Sequence, residues 1–272
     1  MRQACPPDSR TSWIYSYVMA QQESMIKLKG RVGDLTFYEN NKGYQARSAR
    51  GVDSARVKKD PSFVRSRENA NEFGRAVQAA KLLRGVLRPL LLYNTDGTMV
   101  NRLNSRMVRV LKSDGSNSRG ERMVHPENTG MLRLFDFNHT APLHETLLVR
   151  YGMEADLSTS TVQLHLPAYF PKQAVVAPKE ATHFRLTAAA VEIDFTGMGE
   201  RGYPPLAMQT TALLPLTGQI PASSLVLAMD GRVDSGSVIV ILGLSFFEQF
   251  GGELYPLKSK DASPLGIVEV LA

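Results

Sequence analysis

Five histidines, one cysteine and a few closely spaced carboxylates are the residues that could do acid–base, nucleophilic or metal chemistry here. His139 and His144 flank a proline-containing turn beside Glu145. Two imidazoles that approach across a turn can hold a divalent metal, although polar loop residues explain the pair as well. The spacing lacks the H-x-H and H-E-x-x-H patterns that put two imidazoles on one strand or helix face. His165, between Leu164 and Leu166, reads as a strand histidine with a satisfied ring. Glu192 and Asp194 are two apart, which would place both carboxylates on one face of a strand. There they could do acid–base work or hold a cation, and an exposed strand face accounts for them equally well. The chain has no Gly-x-Ser-x-Gly elbow, Walker-type loop or G-x-G-x-x-G after a strand, and Asp234-Ser235-Gly236-Ser237 reads as a turn. Cys5 stands alone, so neither an intramolecular disulfide nor a thiolate zinc site can form within one chain. The expectation is a protein that is not an enzyme and carries no cofactor or metal. A metal-assisted hydrolase using His139, His144 or Glu192 with Asp194 is kept as a second alternative.

The cations are more organised. Residues 1–150 hold 25 Lys and Arg against 14 Asp and Glu, whereas residues 151–272 hold 7 against 12; the net charge is +6. Such asymmetry suggests that two parts of the chain face different partners. Arg75, Lys81, Arg84 and Arg88 fall on one expected helix, and Arg102, Arg106 and Arg109 share a face of the next. With Lys58-Lys59 and the Arg119–Arg122 pair they could neutralise phosphates, so a nucleic-acid-binding protein is the first alternative function. Aromatic residues are sparse among them. Phe63 and Phe73 fall on the expected core stripe, leaving Phe37, Tyr38 and Tyr44 as the stacking platform. The same arginines, flanking Glu68 and Glu72, could equally form surface pairs worth only about a few tenths of a kcal/mol each.

These side chains must be positioned by elements that the patterning indicates. Met25 to Ser48 alternates as strands around Gly30, Gly33 and Asn40-Asn41-Lys42-Gly43, which supply turn chemistry for a small meander or hairpin. Asp60 is a good N-cap, and Pro61 at the first helical position loses only an N–H without an intrahelical partner. Phe63, Ala70, Phe73, Val77, Ala80, Leu83, Leu87 and Leu90 follow at helical spacing, and Pro89 kinks or ends the helix. A second helix is expected from Thr98 to Lys112, with Asp96 as its cap and Met99, Leu103, Met107 and Val110 as its stripe; together the two make an αα-hairpin. From Met131 the period changes to two. Strands are expected at Met131–Phe135, Leu147–Tyr151, Thr161–Leu166, Thr182–Phe195, Met208–Leu214, Leu225–Met229, Ser237–Phe247, Glu253–Lys258 and Gly266–Leu271. The fold class predicted is α+β: an N-terminal β-hairpin and helical hairpin, then an antiparallel β-sandwich of immunoglobulin-like type. The expected organisation is a leader over 1–24, a basic region over 25–125 and the sandwich over 126–272.

Several blocks also carry a resemblance. They are Ile26-Lys27-Leu28-Lys29-Gly30 with Gly33-Asp34-Leu35-Thr36-Phe37-Tyr38, then Arg67-Glu68-Asn69 with Glu72-Phe73-Gly74-Arg75-Ala76. Gly243-Leu244-Ser245-Phe246-Phe247-Glu248-Gln249 follows near the C-terminus. Together they resemble a family of Bacteroidota-associated proteins of uncharacterised activity. The resemblance covers the chain from about Met25, implies Met19 or Met25 as the start, and transfers no activity. The functional expectation is a non-catalytic structural, assembly or binding protein, with a protein partner or a second copy of itself. No apolar run approaches the roughly 18–20 residues of a membrane span, and the short Trp13–Met19 stretch is a poor signal-peptide core. The cytoplasm is the default location.

Overall fold

The computed structural model describes residues 19–22, 26–48, 54–92, 94–197, 203–230, 236–257 and 263–272; Cys5, Trp13 and Asp234 lie outside them. The chain divides into two compact units, Met1–Val64 and Arg65–Ala272, so the boundary expected near residue 125 falls inside the second unit.

The first unit is a four-stranded antiparallel sheet, β1 (Met19–Gln21), β2 (Gly30–Val32), β3 (Leu35–Asn40) and β4 (Gly43–Ser48), in the order β1-β4-β3-β2. β1 comes from within the expected leader and pairs with β4. Gly33, at φ +57°, follows Val32 and opens the two-residue turn to Leu35. A left-handed backbone at that position is what glycine tolerates and most residues do not. Among the described residues of this unit no side chain is buried, and Ile26, Leu28, Val32 and Leu35 are exposed. Helix α1 (Ser54–Lys59) follows. Asp60 then caps a 3₁₀ turn as expected, accepting from the Ser62 amide at 2.9 Å and Ser62 Oγ at 2.7 Å.

In the second unit the residues without alternation form the centre. β7 (His183–Ile193) and β11 (Ser237–Phe250) pair antiparallel from Ser237↔Ile193 to Phe247↔His183. β13 (Leu265–Leu271) and β12 (Glu253–Pro256) lie on the outer side of β11. β8 (Ala207–Thr210) and β9 (Leu214–Pro215) lie on the outer side of β7. A second sheet has the order β10-β6-β5, from β5 (Gly152–Asp156), β6 (Thr161–Leu166) and β10 (Ser223–Ala228). It covers one face of β7 and β11: Val162, Leu164, Leu225 and Leu227 share a core with Phe184, Leu186, Val240, Leu242 and Phe246.

The opposite face carries the helices: α2 (Val64–Val86), α3 (Arg88–Leu91) and α4 (Met99–Lys112). Ala79, Leu83, Leu103 and Met107 share a core with Ala189, Val191, Ile239 and Ile241. Because both faces are covered there, Val238 to Leu242 has no polar alternate. The alternation of β7 survives only at His183, Arg185 and Thr187, which the helical layer does not bury. Ala188, Ala189 and Ala190 sit fully buried in β7, where packing on two faces overrides their weak strand preference.

Three expectations are corrected. The stripe of α2 is displaced in its first half: Glu72, Ala76 and Ala79 are buried, whereas Phe73 is 56% exposed. The strand expected at Met131–Phe135 is a 3₁₀ segment, Pro126–Leu132, followed by an irregular stretch along β13. The strand expected at Leu147–Tyr151 lies instead at Gly152–Asp156, because helix α5 (Leu143–Thr146) leads into Leu147, which makes a single bridge to Val175 after α6 (Pro171–Ala174). Pro89 acts as expected, with α2 ending at Val86 and α3 resuming for one turn. No helix among the described residues is long and apolar enough to cross a membrane.

Candidate functional site

Helix α4 buries Met99, Leu103, Met107 and Val110, which leaves Arg102, Arg106 and Arg109 on the adjacent face. Beside that face runs the stretch from Leu134 to Pro142. It is held as an irregular addition to β13: the Leu134 amide donates to Ile267 O at 2.9 Å, Ile267 N to Phe135 O at 2.9 Å and Phe137 N to Leu265 O at 2.8 Å. Between the two lies a cleft of 480 Å³ lined by the three arginines with Asn101, Ser105, Leu134, Phe135, Asp136, His139 and Pro142.

Asp96 organises one wall. It is not the N-cap residue of α4, which is Thr98; its side chain, 4% exposed, instead accepts from the Thr98 amide and hydroxyl, each at 2.6 Å. It also accepts from the His139 amide at 3.1 Å and the His139 Nδ1 at 3.0 Å, and it pairs closely with Arg102. Burial penalises its charge, but the bonds from Thr98 and His139 outweigh that penalty and hold the carboxyl well below the usual carboxylate range. In that contact His139 Nδ1 donates to the carboxylate, and the His139 side chain is about half exposed.

The arginines divide by what they already bind. Arg102 donates to Asp136 O at 2.7 Å, Phe137 O at 3.3 Å and Thr98 Oγ1 at 3.3 Å, and lies 5.2 Å over the Phe135 ring. Its donors are taken up inside the protein. Arg106 donates one N–H to Met131 O at 3.0 Å. The Arg109 side chain is exposed and has no hydrogen bond or ion pair among the described residues. Asp136 accepts from the Leu143 amide at 2.9 Å, and burial raises its pKa.

The remaining candidates go elsewhere. Arg75 clamps a loop, donating to Gly120 O at 2.7 Å and Arg122 O at 3.2 Å and pairing with Glu121 at 3.0 Å. Beside it the buried Glu72 accepts from the Gly120 amide at 2.8 Å. Gly120, at φ +91°, is required there, since a Cβ would come 2.8 Å from Glu68 Cγ. Arg84 donates to Ala80 O of its own helix, while Lys81 and Arg88 are exposed. Gly85 is approached closely by the hydroxyl end of the Tyr203 ring, where a Cβ would come 2.2 Å from Tyr203 Cε1. Sequence reasoning missed Tyr203 because it is 118 positions from Gly85, and only a glycine on a basic face hinted at a close approach.

Glu192 and Asp194 each bind nearby main chain. β7 ends at Ile193, so Asp194 belongs to the following turn and accepts from Thr196 N at 2.8 Å, while Glu192 accepts from Gly236 N at 3.0 Å. His139 takes Asp96 as partner, and His144 lies 3.8 Å from Asp136 and 3.7 Å from Glu145. His165 bonds Ser224 across the β6–β10 pair at 2.9 Å, as a strand histidine does. No family model, curated protein or solved structure matches the chain.

Proposed function

We propose that this is a non-catalytic binding and assembly protein whose N-terminal sheet is completed by a partner surface. The observation that carries this reading is that the N-terminal unit has four paired strands but no buried side chain among its described residues. Two- to four-stranded sheets of such short strands gain independent stability only by burying an apolar face. Ile26 (73% exposed), Leu28, Val32 and Leu35 supply the apolar side chains that a partner would cover. β2, three residues long and at the sheet edge, offers main-chain donors and acceptors for strand addition. In this reading the two antiparallel sheets of the second unit serve as an immunoglobulin-like recognition body. The likeness to the Bacteroidota-associated family rests on the hairpin and helix motifs and belongs to the same proposal. Light scattering over a concentration series tests it: the full chain should give a defined oligomer, and Ile26→Ser with Leu28→Ser should give a monomer. A strict monomer at high concentration that also captures no protein partner would sink the reading.

One observation favours the nucleic-acid alternative. The exposed Tyr203 ring approaches Gly85, which lies on the face of α2 that carries Lys81 and three residues before Arg88 at the start of α3; an aromatic ring near cations suits a base stacked beside its phosphates. Arg75 and Arg102 contribute less to it, since three contacts of Arg75 and four of Arg102 engage their guanidinium groups within the protein. It predicts salt-dependent retention of a single-stranded oligonucleotide that falls when Tyr203→Ala and Arg88→Gln are combined. Retention unchanged by that pair would remove it.

A further inference from the structure

We infer that the cleft beside α4 binds the oxyanion of a small amphipathic acid, a carboxylate or a phosphate attached to an apolar body. Charge is the first ground. Asp96 neutralises Arg102, whereas Arg106 has only a carbonyl partner and Arg109 none among the described residues. The one carboxylate in the lining, Asp136, accepts from the Leu143 amide, so three guanidinium groups face two carboxylates, Asp96 and Asp136. A positive surplus therefore remains on the wall.

The spacing is the second ground. Arg106 and Arg109 are three residues apart on one helix face, where like charges destabilise by about a few tenths of a kcal/mol per pair. An oxyanion between Arg106 and Arg109 relieves that repulsion, and the planar guanidinium fork suits two-pronged binding of such a group.

Shape and apolar lining complete the argument. Leu134 is held at φ +60° and is 71% exposed at the cleft, with Phe135 and Pro142 beside it. A left-handed backbone is strained for leucine, and the β13 ladder bonds on both its sides hold it. The result is an apolar side chain kept in water next to two available guanidinium groups. A volume of 480 Å³ lies within the range of small-molecule sites, about 300–1,000 Å³. The Asp96 hub fixes Arg102 and His139, so the walls are formed before any ligand arrives. This inference is independent of the N-terminal sheet and its assembly.

Calorimetric titration of the full chain with benzoate and with phenyl phosphate tests it, with benzyl alcohol as the uncharged control at constant chloride. Saturable binding of at least one acid and none of the alcohol is expected, and the acid that binds tells carboxylate from phosphate. Arg109→Gln breaks no bond of the fold and should weaken binding at least tenfold, as should Arg106→Gln. Leu134→Ala should weaken phenyl phosphate several-fold more than inorganic phosphate. Arg88→Gln, on the other helix, should change nothing. Binding of neither acid, or binding unaltered by Arg106→Gln with Arg109→Gln, would overturn the inference.

Discussion

At the scale of single residues, the second unit is stitched by buried carboxylates that gather several donors each. Asp96 ties the start of α4 to the 136–139 stretch. Asp114 does the same beyond the end of α4, accepting from Ser116 N at 2.8 Å, Met123 N at 2.9 Å and Asn117 Nδ2 at 2.8 Å. Burial opposes its charge too, but the bonds from Met123, Asn117 and Ser116 prevail and lower its pKa. A carboxylate whose folded pKa is depressed stabilises the protein at every pH above its unfolded value of 3.8. That contribution is lost as the pH falls below 3.8 towards the folded pKa. Asp136, with a raised pKa, acts with the opposite sign and favours the fold when protonated. Urea denaturation should therefore show stability falling steeply below pH 4. Asp96→Ala, by leaving Arg102 without its carboxylate, should cost about 3 kcal/mol or more at pH 7 and flatten that acid limb. An unchanged limb in Asp96→Ala would show that the bonds around Asp96 are not what holds its charge.

At the scale of elements, the register of α2 separates what periodicity alone predicts from what the partner layers select. A stripe through Phe73, Val77 and Ala80 and one through Glu72, Ala76 and Ala79 differ by a single residue, and hydrophobicity favours the first. The loop 118–122 decides otherwise, because Arg75 and Glu72 bind its main chain and turn Phe73 outward. Polar clamping of a loop has no hydrophobic signature, so it is invisible to a reading by apolar period. Phe73→Ser should then change stability by no more than about 0.5 kcal/mol, while Leu83→Ala, fully buried in both stripes, should cost about 2–5 kcal/mol. Thermal or urea melts of the two variants check the register, and comparable losses in both would restore the stripe through Phe73.

At the scale of the molecule, β7 and β11 are the protected centre, covered by helices on one face at one end and by the β10-β6-β5 sheet on the other. The N-terminal sheet, with no buried side chain among its described residues, lies at the other extreme. Native-state hydrogen exchange should find the slowest amides in Val238–Leu242 and Ala188–Val191. The fastest strand amides should be in β2–β4, rising in protection with protein concentration if a second copy covers them. Slow, concentration-independent exchange in β2–β4 would mean that the unit is stable without a partner.

The sequence by itself determined most of the elements. The Asp60-Pro61 start, the α4 stripe, the Pro89 break, the Gly33 turn and the long apolar run of β11 are local signals whose physics involves neighbours a few residues away. It also placed Arg102, Arg106 and Arg109 on one face. Only the tertiary structure decided which of those cations are available. Arg102 is consumed by carbonyls at 136 and 137 and by Asp96, and Arg75 by carbonyls at 120 and 122, whereas Arg109 is left open. A guanidinium looks the same in a sequence whether or not a distant main-chain carbonyl accepts from it. The pairing of Asp96 with His139, and of Gly85 with Tyr203, likewise joins residues far apart in the chain, and such contacts exist only once the layers have packed.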